Sequence, residues 1–100
     1  MLIHSVYFWF KRDADAALVH RFREGLASLT TIPDVQAAHF GTPETTPKRP
    51  VIDDTYAWAL IEIFADIDAH DRYQEHPIHD AFVREFSPSW EKVRVYDVRV

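Results

Sequence analysis

From Leu2 to Phe10 every residue but His4 and Ser5 is aliphatic or aromatic, which reads as a β-strand. Strand alternation sorts the run into Leu2, His4, Val6, Phe8 and Phe10 on one face and Ile3, Ser5, Tyr7 and Trp9 on the other. Thr55 to Phe64 repeats the pattern, with Tyr56, Trp58, Leu60 and Phe64 set against Ala57, Ala59, Ile61 and Ile63. Neither strand shows a polar face. Between them, Leu18, Phe22, Leu26 and Leu29, with Val19 alongside, follow one side of a helix. Asp13 or Asp15 can cap it, and it stops before Pro33. Val35 to Phe40 predicts a short strand ended by Gly41. Thr42 to Asp54, rich in proline and without periodicity, predicts a long loop, either a solvated excursion or a lid.

The C-terminal part repeats the scheme. Asp66 or Asp68 caps a helix reaching about to Glu75, and Pro77 forces a restart because the residue before proline resists the helical region. Ile78, Phe82 and Phe86 give the second piece its buried stripe, Pro88 ends it, and Val93 to Val100 alternates as a last strand. The order β-α-β-β-α-β predicts one α+β domain over residues 1–100, a ferredoxin-like fold with an antiparallel sheet. Two helices cover only one face of such a sheet. Leaving an aromatic outer face in water costs roughly 25 cal/mol per Å² of apolar area, so the pattern predicts a homodimer packed sheet to sheet.

Composition narrows the partners. A net charge of -5 with scattered Lys and Arg offers no footprint for nucleic acid or an anionic membrane. The chain has no cysteine, hence no thiolate nucleophile and no Cys-ligated zinc, which fits a reducing cytoplasm. Its apolar amino terminus is too short to span a bilayer and lacks the basic lead-in and cleavage site of a signal peptide. With glycine only at positions 25 and 41, no glycine-rich phosphate loop is available, and nucleotide cofactors are not expected.

Candidate chemistry concentrates in "RYQEHPIHDAF", Arg72 to Phe82. If Pro77 is the first helical residue, His76 lies at the cap and His79 in the opening turn, where the positive helix end disfavours an imidazolium. A neutral His79 can take a proton next to a carbonyl, and Tyr73 can steady the developing oxyanion. Their separation of six does not put them on one face of a continuous helix, so the break at Pro77 must re-aim them. The plainer accounts are a packed His79, a hydrogen-bonded core Tyr73 and a capping His76. His4, alone and polar on an apolar strand face, needs a partner if buried. Three imidazoles, His4, His76 and His79, suffice in number for zinc, but "HPIH" is a weak pattern and no metal is expected.

The segments "IHSVYFWFK", "IPDV", "DRYQEHPIHDAF" and "SWEKVRVYDV" resemble the stress-responsive dimeric α/β-barrel (Dabb) family along nearly the whole chain. The resemblance implies a ferredoxin-like subunit paired into a barrel. It also implies, by way of a plant polyketide cyclase in that family, aldol-type chemistry without cofactor or metal. Residue by residue, the cyclase's catalytic pair falls on Tyr73 and His79, a second motif histidine on His76, and a cavity-facing histidine of the first strand on His4. Apolar lining falls on Phe22, Leu60 and Trp90. Two positions depart: a pocket tyrosine would sit at Gly25 and a histidine at Trp58, which implies a less polar cavity with Trp58 in its wall. A non-catalytic dimer sheltering a hydrophobic small molecule, or a stress-associated dimer without ligand, is the alternative. A cofactor-free monooxygenase of the same architecture is a further one.

Overall fold

A computed structural model describes residues 1–100. The elements run β1 (Leu2–Phe10), α1 (Ala16–Leu29), β2 (Ala37–Gly41), β3 (Trp58–Phe64), α2 (Ile67–Glu75), α3 (Pro77–Phe86), a 3-10 turn (Ser87–Ser89) and β4 (Trp90–Arg99). All strand pairs are antiparallel, in the order β2-β3-β1-β4, and this is the ferredoxin-like arrangement. No helix is long and apolar enough to cross a membrane.

Local chemistry sets the helix ends. Asp15 accepts from the backbone N–H of Ala17 at the start of α1, and Asp66 accepts from that of Ala69 in the first turn of α2. At α3 the cap is His76, whose Nδ1 accepts from the Ile78 N–H at 3.1 Å while Pro77 occupies the first helical position. The last strand starts three residues earlier than its alternation suggests, because Trp90 pairs with Phe10 across a register shift between Trp9 and Phe10.

All three helices lie on one face of the sheet. That face buries Val6, Phe8, Leu60 and Phe64 against Phe22, Leu26, Leu29, Tyr73, Phe82 and Phe86. Phe22 is the centre of one end, with Phe8 and Phe10 each 5.0 Å away, Phe86 at 5.2 Å and Phe82 at 5.6 Å between ring centroids. α1 and α3 approach so closely that a Cβ on Gly25 would stand 2.3 Å from the Phe86 ring. A tyrosine could enter there only if Phe86 moved.

The outer face carries Ile3, Tyr7, Trp9, Ala59, Ile61 and Ile63, with Tyr96 and Val98 of β4 exposed beside them. Ser5, His39, Lys92 and Arg94 interrupt it, and the Lys92 ammonium lies 4.1 Å from the centre of the Trp9 ring. The end of the 42–57 loop packs on this side: Trp9 Nε1 donates to Thr55 Oγ, and the rings of Tyr7 and Tyr56 are 5.1 Å apart.

Candidate functional site

The second half of the covered face differs from the Phe22 end. Here β1 contributes His4, with Glu62 of β3 directly opposite on one side and Asp97 of β4 directly opposite on the other. α2 lays Tyr73 and His70 over the same region, and α3 adds His79. The break before Pro77 turns the second helix so that the rings of Tyr73 and His79 meet edge to face at 4.9 Å.

Between these groups lies a cavity of about 160 Å³. Its polar wall is His4, Tyr73, Gln74 and His79; its apolar wall includes Leu60, Trp90, Val93 and Val95. Three residues expected in this wall are elsewhere. Phe22 is wholly enclosed at the other end of the core, and Trp58 leans towards Phe22 and Phe40. His76 is occupied as the cap of α3. No residue of the 42–54 loop touches the cavity, because that loop runs to the outer face.

Electrostatics assigns different states to the polar groups. His4 is buried, and desolvation draws its pKa down against the opposing pull of Asp97, whose Oδ1 lies 2.5 Å from His4 Nδ1. With the carboxylate accepting from Nδ1–H, Nε2 is left as the acceptor nitrogen. His79 is lowered as well, chiefly by desolvation, so its neutral form is favoured. Burial moves the Tyr73 phenol upward, with the neighbouring Glu62 adding to the shift, so Tyr73 keeps its proton.

Glu62 is the largest departure from the sequence reading, which saw two dry faces on β3. It is 0 % exposed, and neither carboxyl oxygen has a hydrogen-bond partner. Burial raises its pKa to about 7. The Tyr73 hydroxyl is near enough to pull in the opposite direction, although the pair does not reach full hydrogen-bond geometry. The signal was present as a lone acid at the inward position between Leu60 and Phe64. His70 and Asp97 were missed too; only the strand register and the α2 crossing bring them to His4, with 4.9 Å between the two imidazole centres.

His4, His70 and Asp97 each place one possible metal-ligand atom within 4.8 Å of the others. Two ligands at zinc-bond length and tetrahedral angle stand about 3.3 Å apart. The 2.5 Å His4–Asp97 contact is tighter than that, so the trio is arranged as a hydrogen-bonded pair beside a third imidazole.

Comparison with known proteins agrees with this architecture. The family model described as "Stress responsive A/B Barrel Domain" matches residues 2–100. A Dabb family protein with a ferredoxin-like fold from Mesorhizobium loti is 30% identical, with a TM-score of 0.77 and coverage of 99% of this chain and 95% of that one. A dimeric ferredoxin-like protein of unknown function from Thermobifida fusca shares 19% identity at a TM-score of 0.79, covering 99% and 90%. A hydroxynitrile lyase from Passiflora edulis shares 20% identity at a TM-score of 0.79, covering 99% and 92%. A search of curated proteins gives no match.

Proposed function

Given that this chain belongs to the stress responsive A/B barrel (Dabb) family, we propose that it is a homodimeric protein whose cavity takes a small hydrophobic carbonyl compound and moves a proton on it without a cofactor. The observation that supports this most is the meeting of His79 and Tyr73 across the Pro77 break, on the wall of one cavity. A neutral His79 takes a proton from the carbon next to the carbonyl. The electron pair moves onto the carbonyl oxygen, and the Tyr73 hydroxyl donates a hydrogen bond to the enolate so formed. His4, held through Nδ1 by Asp97, presents a second acceptor from the sheet side.

Size restricts the compound. Cavities near 150 Å³ hold a benzene-sized molecule, whereas drug-sized ligands need roughly 300–1,000 Å³. A cavity of about 160 Å³ therefore suits a single ring or a short chain bearing one carbonyl, and is small for an extended polyketide. The half-covered aromatic outer face supports pairing with a second copy, as the dimeric description of the Thermobifida fusca protein does for that relative. The lack of cysteine fits a cytoplasmic setting.

The test is exchange of the methyl protons of acetophenone in D₂O, followed by NMR. General base catalysis contributes roughly 10²–10⁴-fold, so His79→Ala is expected to lower the catalysed rate by at least about 100-fold. Equal rates for wild type and His79→Ala would overturn the proton-transfer reading. Binding of acetophenone without any exchange would make the protein a carrier of such molecules. A compact single-chain species in sedimentation at micromolar concentration would contradict the dimer.

A further inference from the structure

The carboxyl of Glu62 is enclosed and unpartnered, yet it does not line the cavity. The polar group beside it is the hydroxyl of Tyr73, and Tyr73 does line the cavity. Nothing in the proton transfer described above uses this acid. A buried carboxyl without a hydrogen bond is costly, so its presence at an inward strand position among Leu60, Phe64 and Tyr73 calls for an account.

We infer that Glu62 is a positioning residue that sets the direction of the Tyr73 hydroxyl: as the neutral acid it donates to the phenol oxygen, and as the carboxylate it draws the phenol proton to itself. In the first state the Tyr73 O–H is free to point into the cavity and to donate to a carbonyl or enolate oxygen. Its donor strength is raised there by the hydrogen bond it accepts. In the second state the same O–H is turned towards the sheet, and the cavity loses its donor. The inference rests on the role given to Tyr73 above and adds a control of it.

The surroundings leave Glu62 to titrate against few other charges. β1 brings His4 opposite it, with Asp97 of β4 beyond; α2 brings Tyr73 and His70; α3 brings His79. β2 opposes it with Ala38, and the charged residues of α1 are all exposed. Burial places the Glu62 transition at about pH 7, while desolvation moves His4 and His79 below their ordinary range. The window from about pH 7 upwards is therefore governed by the acid.

The experiment measures acetophenone affinity from pH 6 to pH 8.5 through the fluorescence of Trp90 and its neighbours, in wild type, Glu62→Gln and Tyr73→Phe. Infrared spectroscopy follows the carboxyl C=O stretch in the absence of ligand. Wild-type affinity is expected to fall about fivefold across pH 7, the worth of one net hydrogen bond. In Glu62→Gln the fall disappears, because the amide is neutral throughout and keeps an N–H to donate. Tyr73→Phe binds weakly and without the pH step. A protonated-acid band present at pH 6, lost by pH 8.5 and missing from Glu62→Gln is expected. If the wild-type step persists unchanged in Glu62→Gln, or if no such band exists, the Glu62 inference is overturned while Tyr73 keeps its role. If Tyr73→Phe binds as wild type does, the reading of Tyr73 itself has failed.

Discussion

The two ends of the same interior are built on opposite principles. Around Phe22, five phenylalanines meet at 5.0–6.1 Å, and no ionisable side chain is buried among them. Around His4, the same sheet and helices enclose or half-enclose two further histidines, a tyrosine and the unpartnered Glu62, with the exposed Asp97 bonded to His4 at the rim. Packing alone requires only the first arrangement. The second lowers stability, since each buried polar group gives up water and the Glu62 carboxyl oxygens have no full hydrogen bond in return. Neighbouring regions with the same backbone framework thus separate what holds the domain together from the part on which the proposed chemistry rests.

Mutations can break this contrast. Phe22→Ala removes the shared ring of the solid end, and loss of about 3–5 kcal/mol is expected in urea unfolding. Glu62→Gln should act with the opposite sign. The carboxyl titrates at 4.5 when free and at about 7 in the fold, so the folded state holds the proton more tightly. That advantage is complete below pH 4.5 and is lost as pH rises through 7. The variant should therefore match wild type at low pH and exceed it by about 3 kcal/mol above pH 7. Equal pH profiles for the two would show that Glu62 is hydrated and that the polar end carries no such penalty.

Smaller effects sharpen it. Asp97→Ala removes the one partner of His4 and should cost about 1–2 kcal/mol. NMR titration should then show His4, already lowered by desolvation, moving further down, because Asp97 acts to raise it. Trp90→Phe deletes a buried Nε1–H that has no acceptor while keeping a ring against Phe8 and Phe82. Its two consequences offset each other, and a change within about 1 kcal/mol is expected.

The apolar core was legible from spacing, because Leu18, Phe22, Leu26 and Leu29 declare a helix face and Leu60 with Phe64 a strand face without reference to anything distant. The Tyr73–His79 meeting was legible only through the Pro77 break and a family resemblance. The convergence of His70, Glu62 and Asp97 on His4 was not legible. Their relation to His4 depends on which residue faces which across β1, β3 and β4, and alternation assigns a residue to a face without giving its partner. Glu62 was further obscured by its apolar neighbours, which made the strand read as dry on both sides. Phe22 and Trp58 fell outside the cavity for a steric reason: the α1–α3 contact at Gly25 and Phe86 closes that end of the interior.

The Pro77 junction makes α2 and α3 two separately phased rods. On one unbroken helix, residues six apart point about 120° away from each other, so Tyr73 and His79 would not share a face. The joint absorbs that offset, which means that the aim of His79 is adjustable by chain length alone. Adding or removing a single residue at the joint would swing it by about 100° while leaving the composition of the wall intact.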